Sequence, residues 1–121
     1  MKIILAIVFC ILLISCKNET IKTENPVPEI ASLKKGETLF QENNCVACHQ
    51  VNQKIVGPSL QDMAKIYKQK NGDFVAFLKQ EAQPIVDPSQ YETMKINLQV
   101  TKNMTDAELQ SLELYLSSHS K

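Results

Sequence analysis

The 121-residue chain has no tryptophan and no arginine, and its aromatics amount to four Phe and three Tyr. So few aromatics make a thin core for one domain unless something else helps to fill it. Glycine (3) and proline (5) are scarce, which excludes collagen-like and low-complexity chains. No tract recurs, so a solenoid of stacked repeats is excluded as well. Neither sign of charge is in excess. Thirteen lysines face 13 acids, without the basic face that nucleic-acid binding requires. Strand signals are missing too, because no hairpin dipeptide separates two alternating runs. What is present is a length suited to one domain and 44% hydrophobic residues, enough for a packed core.

One long apolar run exists, Ile3 to Ile14, directly after Met1-Lys2. It falls short of the roughly 20 residues a membrane-crossing helix needs. A short basic start followed by such a stretch reads as a secretory signal. The last two residues of the run and the two that follow, Leu13-Ile14-Ser15-Cys16, resemble the lipobox of bacterial lipoproteins. That resemblance implies cleavage before Cys16 and a diacylglycerol thioether on its sulfur. Residues 1–15 are therefore expected to be a signal peptide and 16–30 a lipidated, flexible tether. The tether is too polar to offset the entropy of ordering it. Residues 31–121 form the expected folded domain, held at the bacterial cell envelope and facing the periplasm. Cys10 leaves with the signal and Cys16 is consumed by lipid, so Cys45 and Cys48 remain. An oxidising compartment favours a disulfide between them unless something else uses both thiols.

The folded part reads as all-α. Ser32 is a candidate N-cap for a first helix whose Leu33, Gly36, Leu39 and Phe40 share a face. A glycine inside a helix costs about 0.5–1 kcal/mol relative to alanine, so Gly36 anticipates close approach by another helix. Asn43-Asn44 weakens that helix before Cys45. Gly57-Pro58 is punctuation, and Ser59 caps a second helix carrying Leu60, Met63, Ala64, Ile66 and Tyr67, ended by Asn71-Gly72. Asp73 caps a third with Phe74, Phe77 and Leu78, bounded by Pro84. Residues 84–104 show no sustained period and read as a long loop, which inside a small domain points to function. Thr105 and Glu108 form a capping box for the last helix, with Leu109, Leu112, Tyr115 and Leu116 on one face.

The chemistry is carried by Cys45-Val46-Ala47-Cys48-His49. This is C-x-x-C-H, the attachment signature of c-type haem. Two thiols three positions apart can add to the two vinyl groups on one side of a porphyrin, and the adjacent histidine then meets the iron. A thioredoxin-like motif needs a βαβ context, which is missing. Structural zinc normally needs four protein ligands, and beyond the motif only His119 and carboxylates remain. A haem-free thiol or copper-handling module using the same three residues is a further alternative.

From about Ile30 to Ser118 the chain resembles the class I cytochromes c, small monohaem electron-transfer proteins. Gly36 with Phe40 is similar to that family's first helix, Leu112-x-x-Tyr115-Leu116 to its last, and Gly57-Pro58-Ser59-Leu60 to its Gly-Pro-x-Leu turn. The resemblance implies the small cytochrome c fold, about four short helices around one covalent haem c. It also implies that the Pro58 carbonyl accepts a hydrogen bond from His49, and that a methionine before the last helix completes the iron. Met63 sits in a helical pattern and suits core filling. Met104, abutting the Thr105 cap, other ligands or an open site are the alternatives to Met94. The place of Met94, eleven residues before Thr105 in the irregular stretch, is similar to the family's for that ligand. The chain departs from the pattern in having Lys95-Ile96-Asn97 after that methionine, and no Gly-Trp pair before it. His119 is expected to be a solvated end, and Tyr67 and Tyr91 suit either a haem propionate or the core.

The function so implied is one-electron transfer between redox partner proteins, such as membrane oxidases or reductases, by a carrier that is not an enzyme. His/Met ligation leaves no open position on the iron. The alternative is a haem enzyme or gas sensor with an open sixth site. Lysines 34, 35, 54, 65, 68, 70, 79 and 95 are candidates for a docking patch, or simply solvated charge.

Overall fold

Helix α1 (Glu29–Glu42) and helix α5 (Asp106–Ser117) form the most extensive helix–helix contact. The computed structural model describes residues 29–120, with side chains from residue 32 onward. The signal and lipobox expectations, Cys16 included, lie outside these residues. Gly36 explains the crossing: a Cβ there would overlap the Ser111 carbonyl oxygen and come within 2.9 Å of the Tyr115 Cβ. Around that point Phe40 meets Tyr115 with ring centroids 5.5 Å apart. Leu109, Leu112 and Leu116 turn inward from α5 and are at most 6% exposed. Burying a leucine side chain is worth about 1.5–3 kcal/mol, so this seam outweighs the cost of its glycine.

Between these ends run a 3₁₀ turn at Cys45–Ala47, α2 (Leu60–Lys70), α3 (Phe74–Leu78), a second 3₁₀ turn at Pro88–Gln90 and α4 (Tyr91–Thr101). The described residues contain five α-helices and no strand, only a lone bridge between His49 and Lys54. None of these helices is long and apolar enough to cross a membrane. The expected caps are seen. The Ser59 hydroxyl accepts from the Asp62 N–H at 3.0 Å, and the Asp73 carboxylate from the Ala76 N–H at 2.7 Å. Asn71 ends α2 in the left-handed region at φ 47°, a conformation asparagine tolerates better than most residues. At α5 the capping box is complete. The Thr105 N–H and hydroxyl hold the Glu108 carboxyl below its usual range.

Three details differ from the sequence reading. Ser32 is not a cap, because α1 already runs from Glu29; Glu29 and Ile30, placed in the tether above, are helical. Helix α3 stops at Leu78, well before Pro84, and Gln80 turns the chain at φ 63°. The third difference is larger. Residues 84–104 are not one irregular loop, since α4 occupies 91–101. Its inward face is Tyr91, Met94, Leu98 and Thr101, a helical i, i+3, i+7, i+10 seam whose last member is polar. The apolar residues Ile96 and Val100, 75% and 45% exposed, interleave with Met94 and Leu98 in a period of two, and this hides the helix.

Gly36→Ala is expected to destabilise the protein by roughly 1–3 kcal/mol, because a crowded backbone crossing must open to admit a methyl group. Guanidinium unfolding of the variant beside the parent measures this. Equal midpoints would show that the α1–α5 crossing is looser than described.

Candidate haem site

The C-x-x-C-H segment is shaped by how α1 ends. Asn43 turns its side-chain amide back onto the Leu39 carbonyl at 2.8 Å, and Asn44 enters the left-handed region at φ 58°. The chain then makes a single tight turn, with the Cys48 and His49 N–H groups both donating to the Cys45 carbonyl at 3.1 and 3.0 Å. Cys45, Cys48 and His49 thus leave one turn together and line one cavity. Both cysteines are free and half-buried. Burial pushes the Cys45 thiol up from its ordinary pKa, with a backbone hydrogen bond opposing. That is the opposite of the activated thiolate a redox C-x-x-C uses.

His49 is buried, and its Nδ1 lies 2.8 Å from the Pro58 carbonyl oxygen. A carbonyl only accepts, so Nδ1 carries the proton and Nε2 keeps its lone pair for a metal. The loop that returns Pro58 to the ring is itself tied down. The Gly57 N–H donates to the Cys48 carbonyl at 2.8 Å, and the Leu60 N–H to that of Gln50 at 2.9 Å. Gly57 has no side chain for a steric reason: a Cβ there would overlap the imidazole, lying 2.8 Å from Nδ1.

The cavity holds about 1250 Å³ of empty space, counting its open mouth. Its walls are mostly apolar, with Phe40 and Leu112 from the terminal helices, Tyr67 from α2 and Phe77 from α3. Tyr67, Phe77 and Tyr91 form a chain of rings with centroids 6.4 and 6.3 Å apart. Burial, with Asp73 adding, holds the Tyr67 hydroxyl far above its usual pKa, so it stays a neutral donor.

Of the three methionines in the described part, Met94 on α4 and Met63 on α2 border the cavity, while Met104 does not. Met63 is also a core residue at 9% exposure. His119 is not among the cavity residues; its ring stacks edge-on against Tyr115 at 5.0 Å. Both Tyr67 and Tyr91 reach the cavity. Pairing Lys54 with Asp87 at 2.7 Å ties the loop after His49 to the segment before α4. Neither Asp87 nor Thr101, which also border the cavity, is signalled by the sequence motif. Thr101 is detectable only once it is counted on the Tyr91–Met94–Leu98 face.

The donor set fits haem better than a bare ion. No three His, Cys, Asp or Glu side chains converge as a metal site among the described residues. Instead there are two thiols, one imidazole with a fixed tautomer and thioethers from other helices, around one mostly apolar cavity. Those are the requirements of covalent haem attachment with axial ligation.

Comparison with known proteins agrees. A family model described as Cytochrome c matches residues 33–120. The chain is similar to cytochrome c-552 of Nitrosomonas europaea, 54% identical over 33 residues, which is 27% of this chain and 32% of that protein. It is also similar to cytochrome c-551 of Pseudomonas denitrificans, 49% identical over 43 residues, covering 36% and 51% respectively. A third relative, cytochrome c-551 of Stutzerimonas stutzeri, is 47% identical over 34 residues, covering 28% and 33%. The matched stretches thus span about a third to a half of these relatives. With Cys45 and Cys48 fitting the attachment of one covalent haem c beside a buried His49, the chain belongs to the cytochrome c family.

Proposed function

We propose that this protein is a monohaem electron carrier, anchored to a bacterial membrane through a lipid on Cys16, passing single electrons between redox partner proteins on the periplasmic side. The observation that carries the proposal is the His49–Pro58 hydrogen bond beside two free thiols in an apolar cavity. Bound haem iron supplies the one-electron ferrous–ferric couple. The chain's own residues do the rest. Cys45 and Cys48 would hold the macrocycle through thioethers, and His49 would bind the iron through Nε2. Pro58 fixes the imidazole tautomer and raises its basicity, while Gly57 leaves room for the ring. Met94 is the proposed sixth ligand. It borders the cavity from the helix just before the last one, whereas Met104 stays clear and Met63 belongs to the α2 core. With His49 and Met94 both bound, the iron would change little on oxidation and would have no position for substrate.

The proposed exit for electrons is the rim beside the thiols. Val46, between the two cysteines in the chain, and Val56, which lines the cavity with them, are exposed at 38% and 52%. Five of the eight lysines considered as a docking patch form ion pairs with nearby acids: Lys34, Lys35, Lys54, Lys79 and Lys95. A small apolar rim suits brief encounters with a partner better than tight association.

Oxidised and reduced visible spectra, with an intact mass showing the added macrocycle, test the carrier assignment. Ready binding of carbon monoxide to high-spin ferrous protein would instead favour an enzyme or sensor with an open site. Met94→Ala is expected to abolish the weak near-red band of methionine-bound ferric iron. It should lower the reduction potential by on the order of 0.1 V or more, given the wide range axial ligands impose. Unchanged band and potential would remove Met94 from the iron. Cys16→Ser is expected to move the protein from the membrane fraction to the soluble one with its spectrum intact. Continued tight membrane association would refute the lipid anchor.

A further inference from the structure

One buried polar group near the cavity has a role beyond helix packing. Thr101, the last residue of α4, is 6% exposed and borders the cavity. Its hydroxyl has one proton and two carbonyls within reach, Leu78 at 2.7 Å and Leu98 at 3.0 Å. The Leu98 contact is the local back-bond open to any helical threonine. The shorter one spans 23 residues and joins α4 to α3. Leu78 closes α3, where a carbonyl has no intrahelical donor, so the bond serves both partners.

Few directional contacts orient helix α4: its other ties are apolar, with the Tyr91 ring 6.3 Å from that of Phe77 and Met94 packed against the core. Among the described residues, its backbone runs closely along no other helix. Leu98 anchors it in the core at 0% exposure. At the lead-in, Asp87 pairs with Lys54 and also accepts from the Ser89 hydroxyl at 2.6 Å. The Lys54 side chain is 57% exposed, and such a pair holds weakly. Met94 sits between the two ends. It is two helical turns from Thr101 on the same face, about 10 Å along the axis. A rigid helix whose rotation is fixed at Thr101 has the direction of its Met94 Cα–Cβ bond fixed as well, which sets where the flexible thioether can reach.

We propose that Thr101 is the positioning residue for the sixth iron ligand: its hydrogen bond to the Leu78 carbonyl sets the rotation and register of α4 and so keeps Met94 on the iron. The inference rests on the proposed Met94 ligation, and the experiment separates the two. Full-length, haem-loaded protein is compared as Thr101→Val, which keeps the shape without the hydroxyl, Thr101→Ala, which removes it without filling the space, and Thr101→Ser, which retains it. The readouts are the near-red band of the ferric form and its titration with imidazole. Thr101→Val and Thr101→Ala are expected to weaken the band and bind imidazole up to about tenfold more tightly, the equivalent of one lost hydrogen bond. Thr101→Ser is expected to match the parent. Parental behaviour of Thr101→Val or Thr101→Ala, or a Thr101→Ser as impaired as they are, overturns the proposal. Met94→Ala is the control. If it keeps the band, the ligation itself is wrong; if it loses the band while Thr101→Val matches the parent, only the positioning role falls.

Discussion

The hydrogen bond from His49 Nδ1 to the Pro58 carbonyl is the constraint around which the rest of the site is arranged. It decides which imidazole nitrogen carries the proton, and so which one is left to bind a metal. The neighbouring Gly57 contributes by having no side chain in the space the ring occupies. Two consecutive residues therefore settle the tautomer and the seating of one ring. Their loop is in turn pinned to the C-x-x-C-H turn by the Gly57 N–H on the Cys48 carbonyl. Because thiols, imidazole and loop are tied within one short stretch of chain, the proximal half of the site is local in sequence.

The rest of the wall is assembled from distant elements. Helices α1 and α5 cross at Gly36 and Ser111, bringing Phe40 and Leu112 to the same cavity. Helix α2 contributes Tyr67 and Met63, α3 contributes Phe77, and α4 contributes Tyr91 and Met94. The shortage of aromatics noted from composition has its counterpart here. Among the described residues eleven buried apolar side chains form one core, and five of them (Phe40, Met63, Tyr67, Leu78 and Leu112) also line the cavity. A large apolar cofactor fills what tryptophan and more phenylalanine fill in other small domains. The same arrangement explains why α4 makes so little direct contact with other helices: it faces the cavity rather than a neighbour.

Legibility followed how local each signal is. Ser59, Asp73 and the Thr105–Glu108 box cap their helices through bonds three residues long, so they could be read directly from the chain. Gly36 was legible for a different reason, because a glycine amid helix formers makes sense only if something comes close. Helix α4 was missed because its inward face ends in a polar residue, Thr101, whose burial depends on a carbonyl 23 residues away. Meanwhile Ile96 and Val100, apolar but exposed, gave the segment a false period of two. Ser32 resembles a cap in the sequence because a serine near the start of a helical pattern looks the same when it lies one turn inside it.

By itself the sequence determined the all-α class and the C-x-x-C-H chemistry with its expected haem. It also determined the proline turn beside the histidine, both limits of α2 and the starts of α3 and α5, since each depends on residues within a few positions of one another. Only the tertiary structure decided that residues 91–101 are helical, that Met94 and Met63 but not Met104 reach the cavity, and that Lys54 meets Asp87. It alone showed Thr101 pinned to Leu78. Those facts depend on which surfaces meet after the chain has crossed itself at Gly36, and burial of that kind has no period along the sequence.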